Sequence, residues 1–258
     1  MIIDTHCHLN DKRFRSDLED VIKRAKKAGV GAMIIPGADP VELPRAVEIA
    51  QEHENIYFAV GVHPYDIESF DSNLLKKYIN HPKCVAVGEC GLDYYRLPKD
   101  KNEKEAQKEA QKKIFKIQID LAKEYKKPLI VHIREASKDS LDILKEQNAK
   151  EVGGVLHCYN ASEILLELSD DGFYFGIGGV ITFKNARKLV EVLPKIPKDK
   201  ILFETDAPYL APHPHRGERN EPAYTTYIAE KTAQIVKTDN ETLKNIVLEN
   251  TKKLFQVF

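Results

Sequence analysis

At 258 residues the chain has the ~250-residue length of one (β/α)8 barrel and buries a core without disulfides or a structural metal. Its composition, 42% hydrophobic and 31% charged, is that of a soluble globular protein. Lys and Arg number 39 against 40 Asp and Glu, which excludes coating nucleic acid or membrane by bulk charge but leaves room for a local basic patch.

Along the chain, short Ile- and Val-rich runs alternate with longer amphipathic segments, the rhythm of βα units on a parallel sheet. Strand 2–4 leads through helix 16–28 to strand 31–36, and helix 41–53 to strand 56–62. Helix 74–80 precedes strand 84–88, helix 103–125 strand 128–132, and helix 137–147 strand 154–157. Helix 161–169 leads to strand 173–177 and helix 186–193 to strand 201–204; helices 224–236 and 240–257 follow. Ser16 and Glu19 read as a capping box and Gly29 as the residue that ends that helix. The lysines of 103–125 pair with glutamates at helical spacing and are expected on a solvated outer face. Eight strands in a chain of this length predict a single (β/α)8 barrel spanning 1–258, with an open doubly wound sheet as the alternative.

Cys7, Cys84, Cys90 and Cys158 form no CxxC pair and are expected as reduced, mostly buried thiols. The chain opens on Met1-Ile2-Ile3-Asp4 without a basic and apolar leader, and no apolar run is long enough to span a bilayer. A reducing cytoplasm is the expected compartment, with no membrane and no obligate protein partner.

Histidines and acids recur at the C-terminal ends of the expected strands. His6 and His8 follow the first, His63 the third and Glu89 the fourth; His132 and His157 close the fifth and sixth, and Asp206 follows the eighth. In a parallel barrel these ends meet at one face. Residues two apart in an extended chain point the same way, so His6 and His8 suit one cation together. An isolated HxH is most often a pair of hydrogen-bonded histidines. With Glu89, His132, His157 and Asp206 at other strand ends, burying so many ionisable groups without a cation is costly. Glu89 is expected to bridge two cations, one completed by His6, His8 and Asp206, the other by His132 and His157. Mixed His and carboxylate ligands suit Zn²⁺, Mn²⁺ or Fe²⁺ better than Mg²⁺. Cys90 and Cys158 adjoin these residues without a base to activate them, which speaks against covalent catalysis.

The segments Asp4-Thr5-His6-Cys7-His8-Leu9, Gly61-Val62-His63-Pro64, Gly88-Glu89-Cys90-Gly91-Leu92-Asp93-Tyr94-Tyr95, Pro128 to Ala136, His157-Cys158-Tyr159, Glu204-Thr205-Asp206-Ala207-Pro208-Tyr209-Leu210 and Arg216 to Pro222 carry a family resemblance. As a set, over nearly the whole chain, they resemble the TatD family of metal-dependent deoxyribonucleases, of the amidohydrolase-like barrels. Glu89 is the more discriminating residue, since many dinuclear amidohydrolases place a carboxylated lysine at that strand end. Residues 99–112 depart from the family in length and lysine content. The resemblance implies 3′→5′ exonuclease action on single-stranded DNA with two divalent ions, Mg²⁺ among the candidates beside Zn²⁺ and Mn²⁺. A metal-activated water would attack phosphorus in line, with Glu89, Asp206 and His63 as catalytic residues. Asp206 would orient or deprotonate the water, and His63 would touch the phosphate or the departing oxygen unless it is only a loop histidine beside Pro64. Arg134, Tyr209, Arg216 and Arg219 are the expected substrate contacts, against the alternative that these arginines pair with neighbouring acids. Glu204, two residues before Asp206, is expected to support a ligand from behind. Asp93 and Tyr94 are expected either to line the pocket or only to shape a turn. A related hydrolase of a small amide, lactone or phosphotriester would use the same ligands in a tighter pocket, and a metal-binding protein without catalysis is the remaining reading.

Overall fold

Eight parallel strands run in the order β1 to β8 around the computed structural model, which describes residues 1–256. They are β1 (Ile2–Asp4), β2 (Val30–Ile35), β3 (Ile56–Val60), β4 (Cys84–Asp93), β5 (Leu129–Arg134), β6 (Gly154–Leu156), β7 (Phe173–Ile177) and β8 (Ile201–Phe203). Helices α1 (Leu18–Lys27), α2 (Leu43–Glu52), α3 (Ser72–Ile79), α4 (Lys101–Glu124), α5 (Ser137–Glu146) and α6 (Arg187–Val192) connect them, and α7 (Thr225–Ile235) and α8 (Asn240–Phe255) follow β8. This is a TIM barrel. The expected extension of the last helix to residue 257 lies outside the described residues. No helix among the described residues is long and apolar enough to cross a membrane.

The first and last strands meet through a few specific bonds rather than a long ladder. Thr5 N and Oγ1 both donate to Phe203 O (3.1 and 3.0 Å). Asp206 N donates to His6 O (2.9 Å) and His8 N to Ala207 O (2.7 Å). The buried Asp4 carboxylate completes the seam, accepting from Thr205 N (2.9 Å) and Thr205 Oγ1 (2.5 Å). Burial, against the hydrogen bonds from Thr205, raises this carboxyl to about 7.

Side chains alternate along the strands. One face, with Met33, Phe58, Val60, Phe173 and Phe175, joins the inward stripes of the helices, such as Val21, Ile49 and Phe115. The other face carries Ile34, Ala59, Ala86, Ile130, Val155 and Leu202 into the barrel, where Leu254 and Phe255 of α8 join them.

β4 runs five residues beyond its expected end, because pairing with β5 resumes after a register shift between Val87 and Cys90. Glu89 therefore lies inside a strand. The close approach needs glycine: Cβ atoms at Gly88 and Gly91 would sit 2.4 Å from Ile130 O and 2.1 Å from His132 O. Two local expectations are corrected. The segment after Ala161 is a run of 3₁₀ turns over Glu163–Ser169, not an α-helix; Ala161 is left-handed (φ 61°) and Asn160 Oδ1 holds Ser162 N. The Ser16–Glu19 capping box does not form. Asp17 is the N-cap of α1, and Arg219 and Arg24 bind its carboxylate; Glu19 faces His53 instead (3.2 Å). Gly29, at φ 88°, follows the end of α1 as expected.

Candidate metal centre

The C-terminal ends of β1, β4, β5, β6 and β8 bring His6, His8, Glu89, His132, His157 and Asp206 to one place. His6 Nε2 and His8 Nε2 are 3.3 Å apart. Each is also 3.3 Å from an acid, His6 from Glu89 Oε2 and His8 from Asp206 Oδ1. The other oxygen of Glu89, Oε1, lies 2.8 Å from His132 Nδ1 and 3.8 Å from His157 Nε2. Glu89 thus separates two groups of imidazoles, one facing each oxygen. His157 joins the groups, stacked on His6 (ring centroids 3.4 Å apart) with Nε2 3.9 Å from Asp206 Oδ1.

The donor set fits divalent cations. Donor atoms of His6, His8 and Asp206, and of His6, Glu89 and His157, each lie within 4.8 Å of one another. Burial holds His6 below its ordinary pKa, so the ring is neutral with a lone pair to offer, and no group among the described residues takes its buried Nδ1. Burial opposes a charge on His132 and His157, but the surrounding carboxylates outweigh it and raise both, His157 to about 10. Burial likewise opposes charge on Glu89 and Asp206, which the imidazoles nevertheless hold below the usual carboxylate range. Unlike charges therefore hold the group together, and a cation would take the place of those imidazole protons.

Acids behind the rings set their orientation. Asp93 Oδ2 lies 2.9 Å from His132 Nε2 and accepts its hydrogen bond, which turns Nδ1 toward Glu89. Asp93 is itself fixed: Oδ1 accepts from Tyr95 N (2.8 Å), and the Gln111 amide clasps its backbone N and O (2.9 and 3.0 Å). Glu204 Oε1 lies 3.0 Å from His157 Nδ1, an ion pair outside hydrogen-bonding geometry, and accepts from Cys158 N (2.6 Å).

His63 sits beside the cluster, Nε2 3.6 Å from Glu89 Oε1 and ring 4.4 Å from that of His132. Its Nδ1 accepts from Tyr65 N (3.1 Å), so the neutral ring carries its proton on Nε2, aimed at the centre. Burial pushes its pKa down to about 4, which keeps it neutral near pH 7. His63 therefore offers a hydrogen-bond donor where the ligand histidines would offer lone pairs to a cation.

The four expected substrate contacts part company. Arg134 reaches the mouth and lies over the Tyr95 ring (3.6 Å), and Tyr209 stands edge-on to His8 (5.8 Å) under Arg13 (4.3 Å). Arg216 is turned to Phe183 (3.8 Å) and donates to Ala211 O (3.1 Å). Arg219 is taken up by Asp17 (2.6 Å) and Glu221 (2.9 Å), tying its loop to α1. The mouth holds Tyr65 and Arg96, which strand-end reading passed over, and Arg13 and Tyr95 stand against its lining residues Tyr209 and Arg134. The Tyr94-Tyr95-Arg96 run after Asp93 was their visible signal. All four cysteines are free, and burial pushes the thiols of Cys7, Cys84, Cys90 and Cys158 up, which leaves no thiolate for catalysis.

This arrangement has relatives. Residues 3–256 match the family described as TatD related DNase. Among curated proteins, the chain is 44% identical to the uncharacterized metal-dependent hydrolase YabD of Bacillus subtilis over the whole of both chains. It is 34% identical to the 3′-5′ ssDNA/RNA exonuclease TatD of Edwardsiella piscicida, over 99% of this chain and 100% of that one. Among solved structures, the TatD homologue YJJV of Escherichia coli K12 superposes with a TM-score of 0.91 at 30% identity, covering 100% of this chain and 98% of that one. With the family match spanning all eight strands and the donor cluster, the chain belongs to the TatD family of metal-dependent hydrolases.

Proposed function

We infer that the chain hydrolyses phosphodiester bonds of single-stranded DNA, removing nucleotides from the 3′ end. The observation that carries the reading is Glu89, a buried carboxylate with imidazole nitrogens facing each of its oxygens. Glu89 Oε2, His6, His8 and Asp206 would hold one divalent cation, and Glu89 Oε1, His132 and His157 a second, with Zn²⁺, Mn²⁺ or Mg²⁺ as the candidates. Two such cations supply a water of pKa near ~7 and charge stabilisation at the attacking and leaving oxygens.

The chain's own groups do the rest. Asp206, ionised and lining the mouth, would orient the water and accept its proton on its carboxylate. His63 Nε2–H donates to a phosphate oxygen, in a place where a neutral donor is held ready. Arg134 forms no ion pair among the described residues, and its guanidinium is available to phosphate. The Edwardsiella relative, a 3′-5′ exonuclease of single-stranded DNA and RNA, supports a substrate of this class.

The test is a laddering assay on a 5′-labelled single-stranded oligonucleotide, DNA and RNA in parallel, with metal-reconstituted protein and the variants Glu89→Ala and Asp206→Ala. Stepwise shortening from the 3′ end by the wild type, with at least a hundredfold loss in both variants, is the expected result. No shortening with intact hydrolysis of a small amide, lactone or phosphotriester would move the assignment to that class. Equal activity in all three proteins would reveal a contaminating nuclease.

A further inference from the structure

The mouth of the barrel is electrically two-sided. A cavity of about 540 Å³ opens over Glu89 and His63. On the side of β1 and β2 it is walled by Asp11, Asp39 and Glu42; Asp11 is paired with Arg13 (2.9 and 2.7 Å) and Glu42 with Arg15 (3.0 Å), which leaves Asp39 without an ion pair among the described residues. On the side of β4 and β5 it is walled by Arg96 and Arg134, neither of which forms an ion pair among the described residues. A polyanion entering this mouth is repelled by one wall and attracted to the other.

Each of these two guanidiniums lies over a tyrosine. Arg134 is 3.6 Å above the Tyr95 ring, and Arg96 is 5.2 Å from the Tyr65 ring. Tyr95 is 54% exposed, so with Arg134 on one face its ring still presents surface to solvent. A flat ring beside an uncompensated guanidinium offers what an unpaired nucleotide offers in reverse: a π face for the base and a cation for the phosphate.

We propose that the Tyr95–Arg134 and Tyr65–Arg96 pairs form the strand-binding subsite, over which the polynucleotide runs as it leaves the centre. Bases stack on the open face of Tyr95, and Arg96 and Arg134 hold phosphates. Across the barrel, Arg216 and Arg219 are held by Ala211 O and by Asp17 and Glu221 and hold their loop in place rather than the strand. This inference rests on the single-strand nuclease reading above and adds where the strand lies.

Steady-state kinetics on oligothymidylate and on bis(p-nitrophenyl) phosphate, a diester with no strand to bind, test it. Loss of a base stack raises KM on the oligonucleotide, beyond any change on the small diester, by roughly 5- to 150-fold in Tyr95→Ala. Tyr95→Phe restores it. Arg96→Ala lowers the slope of log KM against log salt by about 0.7, the loss of one phosphate contact on a single strand. Because the chain has no tryptophan, Tyr95→Trp adds a lone fluorophore that a stacked base quenches. Equal losses on both substrates in Tyr95→Ala would reduce Tyr95 to a prop for the centre and overturn the proposal. So would an unchanged KM or an unquenched Tyr95→Trp. If the wild type hydrolyses the small diester but no oligonucleotide, the nuclease reading falls and the subsite with it. Oligonucleotide cleavage with a KM indifferent to Tyr95 removes the subsite alone.

Discussion

The histidines of the centre share one side chain but not one role, and the atom behind each ring decides which. His63 turns a proton toward the site because its other nitrogen accepts from Tyr65 N, whereas His132 is held from behind by Asp93 at Nε2 and turns Nδ1 to Glu89, the nitrogen a cation would take. Asp93 should therefore matter to metal binding without touching a metal. Asp93→Asn is expected to weaken cation binding about 10- to 100-fold, read by chelator competition on the purified protein; an unchanged affinity would return Asp93 to a turn-shaping role. At this scale the sequence was informative where a residue's chemistry and its strand position coincide, as for His6, Glu89 and Asp206. It was silent where the role depends on an orientation set from another element. Arg216 and Arg219 look alike in sequence, yet one lies over Phe183 and the other is bound by Asp17 and Glu221.

Among the elements, apolar periodicity located all eight strands, and most boundaries differ by one or two residues, as expected where pairing frays. The larger difference lies in β4. Its pattern breaks at Gly88, yet the glycines that interrupt it are what let the strand stay against β5 and carry Glu89 into the barrel. The failed capping box has the same kind of cause. Asp17 serves a partner 202 residues away, Arg219, before it serves its own helix. Arg219, by donating hydrogen bonds, holds the Asp17 carboxyl down at about 2, below its ordinary 3.8. A depressed carboxyl stabilises the fold above its unfolded pKa and loses that contribution as pH falls through its folded one. The tether is thus complete above pH ~4 and lost toward pH 2. Asp17→Asn should melt a few degrees below wild type at neutral pH. The gap between the two melting curves, measured by circular dichroism, should close as the buffer is acidified across that window. A gap that persists to pH 2 would mean that the tether's charge contributes nothing.

For the whole molecule, alternation and strand count imply a barrel, but closure itself was not readable from local pattern, because it depends on bonds such as Thr5 to Phe203 that join residues 198 apart. The apolar layers on both faces of the sheet do not involve the donor cluster, so the fold should outlast its cations. Chelation is expected to leave the far-UV circular dichroism intact while lowering Tm, since a cation at 100 times its Kd stabilises by about 2.7 kcal/mol per site. Collapse of the helical signal on chelation would show instead that the metals build the barrel. The β1–β8 seam has a further consequence, in time rather than in energy. His6 and His8 are made 198 or more residues before Asp206, and the bonds that set them face to face are the same ones that close the barrel. A nascent chain that has not yet released β8 from the ribosome holds two of the donors and lacks the acid opposite them. The group of His6, His8 and Asp206 is therefore assembled only after β8, and a chain truncated before β8 is expected to lack hydrolytic activity. Its reactive centre comes into being only when its two ends have met.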